Sequence, residues 1–246
     1  MKLSEHFRRA GAFLFRRRSY LPLLLLPLFL LTFITPKGPL VPFFPGLYWE
    51  VACFAVSLLG LGIRILTVGA VAPKTSGRNV AGQEAEALNT TGLYSIVRNP
   101  LYIGNAVMVL GASLLPGTWF LPVIVTLVLI VYYERIIATE EEYLEEKFGD
   151  DFRAWAARVP AVIPRFNNFQ PSEYPFSWKV ALRREFYGLY AIIAAFFFLD
   201  LAEKAIAYRT VELDTFWTVL FIVGSVFFLT MRTLKKKSDL LMVRER

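Results

Sequence analysis

The sequence predicts an all-α integral membrane protein of about six transmembrane helices, with a central short helical hairpin and a cytoplasmic amphipathic helix. Three observations predict it. The 246 residues are 56% hydrophobic and 15% aromatic with only 19% charged, and mean hydropathy is +0.48, a balance that soluble domains rarely reach. Apolar runs of membrane-helix length recur along the chain. Basic residues bracket those runs, and one threading leaves 23 of the 27 Lys and Arg on the same side, as the positive-inside rule requires. The net charge of +7 therefore reads as topology and contact with anionic lipids, not as nucleic-acid binding.

Residues 1–18 form a basic tail, and residues 20–35 form the first span. The pair resembles a signal peptide, but no small-residue cleavage site follows, so the span is expected to be retained. A Pro-rich connector leads to a second span over residues 47–71, with Tyr48 and Trp49 as interface anchors. Arg64, near its far end, is expected to snorkel to the boundary. Residues 73–91 are too polar to span. They are expected in the cytoplasm, where the sequon Asn89-Thr90-Thr91 is inert.

The third and fourth spans, residues 101–115 and 119–137, are separated only by Pro116, Gly117 and Thr118. So short a connection forces an antiparallel hairpin. It carries the residues before Leu101 and those after Ile137 to one membrane face. Residues 138–158 have apolar side chains at helical spacing, Tyr143, Leu144, Phe148, Phe152 and Trp155, and predict an amphipathic helix ended by Val159-Pro160 and Ile163-Pro164. A mixed connector, two further spans at 186–201 and 216–231, and a basic end complete the chain, with both termini inside. Three regions follow: 1–46, the tail and first span; 47–166, the core with the site; and 167–246, the connector, two additional spans and basic tail.

Composition also limits the chemistry. Cys53 and His6 are the only residues of their kinds, which removes disulfides within the chain, histidine triads and Cys/His metal centres. No metal site is expected. Carboxylates, arginines, tyrosines, amides and backbone remain, and they gather in two stretches. In the first, Gly92 to Gly104, Gly92 permits a positive-φ turn and Pro100 turns Asn99 away from helical geometry at the mouth of a span. The N–H groups of that helix start suit a carboxylate, and Arg98 could grip one in a bidentate fork. An interface anchor rich in Tyr, Arg and Asn would read the same way. In the second stretch, Glu140, Glu141 and Glu142 open the segment after the fourth span. A charge run is ordinarily a solvated face, yet the hairpin sets Glu140 and Glu141 beside Arg98. A carboxylate taking an amino group opposite donors taking a carboxylate would bind an amino-acid-like zwitterion.

The two stretches together resemble the integral-membrane methyltransferase family of isoprenylcysteine carboxyl methyltransferases and phosphatidylethanolamine N-methyltransferases. The matching residues are Gly92, Tyr94, Arg98, Asn99, Pro100, Tyr102 and Gly104, then Glu140, Glu141, Leu144, Phe148 and Gly149, then Val159-Pro160 and Ile163-Pro164. The resemblance covers roughly residues 50–166. It implies an S-adenosyl-L-methionine site at the cytoplasmic boundary, formed by Glu86, Ala87, Leu88, Asn89, Tyr94, Asn99, Pro100, Leu101, Tyr102, Glu140 and Glu141. It further implies a lipid or lipid-linked acceptor, with Arg98, Asn99 and Tyr102 at the reacting centre. Arg98 and Arg135 are the candidates for holding the substrate head. Two departures bear on the acceptor. Asn99 stands where the carboxyl methyltransferases carry histidine, and Ile136 stands where they carry a substrate-binding arginine. Arg135 is adjacent, but one helical step turns a side chain by about 100°. An acceptor carboxylate is favoured because it needs no base, with a phospholipid amine as the alternative. A reductase on a related scaffold and a non-catalytic membrane protein are the other classes; the oligomeric state is left open.

Overall fold

The computed structural model describes residues 11, 13–14, 24–35, 46–71 and 86–237. The expectations for most of the basic N-terminal tail, the Pro-rich connector, most of the loop before residue 86 and the final basic residues lie outside these. The described chain is helical: α1 Leu26–Thr32, α2 Leu47–Gly69, α3 Pro100–Leu114, α4 Phe120–Phe148, α5 Asp150–Ala156, α6 Trp178–Ala207 and α7 Thr215–Lys237. Two single 3₁₀ turns, Leu93–Ser95 and Phe166–Asn168, punctuate the loops. A lone antiparallel bridge between Gly92 and Gln170 is the only β pairing among the described residues.

Among the described residues, three helices are long and apolar enough to cross a membrane: α2, α4 and α7. That is half the expected number, and the differences are local. The first expected span is the seven-residue α1 within the described part, with Pro27 in its first turn, where a missing N–H costs nothing. The third, α3, has 15 residues, about 22 Å of rise against a hydrocarbon core of about 30 Å. The fifth lies inside the 30-residue α6, whose first two turns hold Lys179, Arg183, Arg184 and Glu185.

The hairpin is formed as expected. Gly117 takes φ 70 in the connection, and α4 returns along α3. The expected amphipathic helix over 138–158 is instead two pieces. Its first half simply continues the fourth span as part of the 29-residue α4, and its second half is α5. Gly149, at φ 55, makes the break, and Asp150 and Asp151 open the new helix, where their charges favour its N-terminal dipole.

The closest helix pair is α2 with α3. It is built on small residues: a Cβ on Gly111 would lie 2.5 Å from the Ser57 backbone nitrogen and 2.6 Å from the Cys53 carbonyl. Backbones at that separation are the geometry by which membrane helices pack without a hydrophobic drive. Ser57 donates to the Met108 carbonyl at 2.8 Å across the seam. Trp49, expected as an interface anchor, donates its indole N–H to the Leu114 and Leu115 carbonyls at 3.2 and 3.3 Å, so it closes the end of α3. Helix α6 packs on α2 and α7 on α6. Their contributions to the core include Ile192, Phe196, Leu199 and the fully buried Trp217, with Cys53, Leu61, Leu121 and Val125 facing them.

Candidate active site

The loop before α3 is held in place by the segment after α4. Gly92, at φ 62, donates to the Gln170 carbonyl at 3.0 Å, Arg98 N–H donates to Pro160 at 2.9 Å, and Arg165 N–H donates to Ile96 at 2.9 Å. The Trp155 indole donates to the Tyr94 carbonyl at 3.1 Å. Beneath these bonds Phe152, Trp155 and Val159 form a small core with Leu88, Tyr94, Leu144 and Phe148. Four of the five apolar side chains read from the sequence as one helical stripe thus converge, although two helices carry them. Two rigid walls result, the 88–104 loop with the start of α3 and the 140–148 end of α4.

Polar side chains join the two walls. Tyr102 donates its hydroxyl to Glu140 at 2.8 Å. Arg98 donates to both oxygens of Glu141, at 2.8 and 3.1 Å, and its Nη1 donates to the Ala156 and Val159 carbonyls at 2.8 Å each. Four of the five guanidinium N–H donors are therefore spent on protein groups. Arg98 clasps the end of α5 to α4. Asn99 caps α3 with φ −123, accepts from Tyr102 and Ile103 N–H on its carbonyl, and donates its side-chain amide to Ala161 at 3.1 Å.

Tyr94 lies half-buried between Leu88 and the 152–159 core. Its phenol is pushed above the ordinary value, first by burial and then by the charge of Glu140, so it stays protonated at neutral pH. Pro100 is fully buried, Leu101 is half-buried, and Glu86 and Ala87 stand exposed at the edge with Leu88 and Asn89 partly covered. Arg135 is not brought to this junction. Its Nη1 folds back on the Val131 carbonyl of its own helix at 2.7 Å, and five residues separate it from Glu140, a turn of about 140°. Ile136, on the Glu140 face, is fully buried.

Arg64 does not snorkel. Only 14% exposed, it meets the carboxylate of Glu185, itself 3% exposed, with two bonds of 2.7 Å, and its Nη1 donates to Asn105 at 2.8 Å. Asn105 lies beside the Tyr133 hydroxyl, and the Tyr133 ring packs 4.9 Å from that of Tyr102. The sequence reading missed Asn105, Tyr133 and Glu185. The available signal was Arg64 itself, since an ionised group inside a span demands a partner. Among the described residues no group of three or more His, Cys, Asp or Glu could hold a metal ion.

Residues 51–151 match the family described as phospholipid methyltransferase. The chain is also 30% identical to the protein-S-isoprenylcysteine O-methyltransferase B of Arabidopsis thaliana over 135 residues, covering 52% of this chain and 67% of that protein. The chain belongs to this membrane methyltransferase family. Two more relatives are the nickel-cobalt-cadmium resistance protein NccN of Alcaligenes xylosoxydans xylosoxydans, 30% identical over 50% of this chain and 57% of that protein, and the protein-S-isoprenylcysteine O-methyltransferase of Schizosaccharomyces pombe, 38% identical over 31% and 33%. The chain thus spans about half and a third of the lengths of these two. No solved structure matches it. The family stretch contains both walls of the Tyr102–Glu140 junction and stops before α6.

Proposed function

We propose that this protein is an S-adenosyl-L-methionine-dependent methyltransferase acting at the cytoplasmic membrane face on a lipid-linked carboxylate of the isoprenylcysteine kind. The observation that carries the reading is the contact of Tyr102 with Glu140, where the two motif stretches meet in a chain of this family.

The residues at the junction fit the cofactor by their chemistry. Glu140 offers a carboxylate for its ammonium group, the start of α3 offers the Leu101 N–H for its carboxylate, and the tyrosine faces suit a sulfonium cation. Leu88 and Tyr94 supply apolar surface for a base. Bound there, S-adenosyl-L-methionine supplies a methyl group on a sulfonium, open to in-line displacement. The remaining work is positioning and exclusion of water. Tyr94, Tyr102 and Asn99 line the site, and the 152–159 core roofs it. Arg98 holds that roof to α4 rather than touching the reacting atoms.

A carboxylate acceptor arrives as a nucleophile. A phospholipid amine would first have to lose a proton, and Tyr94 is held protonated, so it is no acceptor for one. The carboxylate reading is therefore preferred. Isothermal titration of the detergent-purified protein with S-adenosylhomocysteine tests the site: Glu140→Gln should weaken binding at least about tenfold, the loss expected for one charge-assisted hydrogen bond. Equal affinity in wild type and variant would refute the Glu140 assignment. Labelled cofactor with farnesylcysteine or with phosphatidylethanolamine vesicles then decides the acceptor.

A further inference from the structure

Glu185 lies outside the family-matched stretch, on a helix to which the sequence assigned no role, and its carboxylate is nearly inaccessible. Burying an ion pair costs more desolvation than its attraction returns unless the geometry is very good, and an apolar pair of similar volume would hold the helices at least as well. A buried charge within the membrane-crossing α2, paired with another from α6, calls for a role other than adhesion. Its connections supply one. Glu185 fixes the guanidinium of Arg64 in a fork, and Arg64 engages the side-chain oxygen of Asn105. With that oxygen taken, the amide nitrogen of Asn105 is the end left to face the Tyr133 hydroxyl. Tyr133 packs on Tyr102, which reaches Glu140. Four helices, α6, α2, α3 and α4, are linked through side chains in a single line that ends on the carboxylate of the proposed cofactor site.

We propose that Glu185 and Arg64 are positioning residues for that site: they set the rotamer of Tyr102, and through it the place of Glu140, by way of Asn105 and Tyr133. This rests on the methyl-transfer reading above. The additional C-terminal helices then belong to the active site rather than lying beside it. The path needs no charge to move; it needs side chains held in one arrangement, since a hydrogen bond to a ligand weakens once its groups leave the normal distance and angle.

The test is titration of detergent-purified full-length protein with S-adenosylhomocysteine, with thermal unfolding measured in parallel. Glu185→Gln and Arg64→Lys should each weaken binding about tenfold, and the double variant should be no weaker than the singles, as residues acting in one line are not additive. Asp200→Asn removes another ion-paired carboxylate of α6, bonded to Lys204 at 3.0 Å, about 22 Å along the helix. It should lower thermal stability while leaving affinity intact. Should Glu185→Gln fail to fold, Tyr133→Phe removes one hydroxyl from the middle of the line and should show the same loss. Full affinity in Glu185→Gln, or in Tyr133→Phe, would overturn the proposal and leave the pair a brace. Wild-type protein that does not bind would overturn the methyltransferase reading instead, so the two failures are distinct.

Discussion

Replacing Arg98 by lysine separates a clasp from a ligand contact. Lysine keeps the charge but presents a single ammonium, which cannot serve one carboxylate and two carbonyls in the spread of a guanidinium fork. Arg98 makes four bonds, two to Glu141 and one each to Ala156 and Val159. A hydrogen bond to a charged group contributes about 1.5–3 kcal/mol. With Arg98 15% and Glu141 25% exposed, the lower end applies. Losing two of the four therefore costs about 3 kcal/mol, a hundredfold or so in the equilibrium for local opening. The segment released is Gly149–Val159, since both carbonyls lie within it. Limited proteolysis of nanodisc-embedded protein reads that opening directly, because cleavage follows the population of the open form when reclosing is fast. Arg98→Lys should be cut in this segment about a hundred times faster, with S-adenosylhomocysteine slowing cleavage in proportion to occupancy. Unchanged cleavage together with abolished ligand binding would refute the reasoning and return Arg98 to the ligand.

Two further outcomes are expected. Gly111→Ala places a methyl group against the Ser57 nitrogen and the Cys53 carbonyl, backbone that cannot swing aside, and should destabilise by about 1–3 kcal/mol in thermal unfolding; an unchanged melting temperature would show that α2 and α3 can part without cost. Tyr94 has a folded value raised above its ordinary 10.0, so its stabilisation is complete below that ordinary value and is lost as pH rises through the folded value. Tyr94→Phe should flatten the alkaline fall in melting temperature, and an identical fall in both proteins would exclude Tyr94 as its source.

The legible parts of this molecule were those fixed by local constraint. Pro116, Gly117 and Thr118 leave no room for anything but a hairpin, and from that turn alone the nearness of the Arg98 loop to Glu140 and Glu141 could be derived, though not which side chains pair across it. Gly92 declared its positive φ by standing where the chain had to turn. What stayed hidden depends on partners remote in sequence. Glu185 lies 121 positions from Arg64, and no periodicity links them, so Arg64 read as a side chain seeking water. The continuity of α4 was hidden for another reason. The switch from apolar to charged residues after Ile137 marks a change of surroundings, and a backbone of good helix formers passes through such a change without breaking. The break came at Gly149, which the family pattern marks but the amphipathic stripe runs across.

The continuity of α4 has a mechanical consequence. From Phe120 to Glu140 the helix rises about 30 Å, the thickness of a hydrocarbon core, with no joint between the buried end and the carboxylate. Glu140 is then mounted on a ruler whose zero lies at the opposite leaflet. A thicker or thinner bilayer, or a tilt taken up to match it, would sink or raise the site against the headgroups, and with it the depth at which the proposed lipid-borne acceptor must present its reacting atom. Under the proposed function, membrane thickness would then help select substrates, through a count of residues rather than the shape of a binding surface.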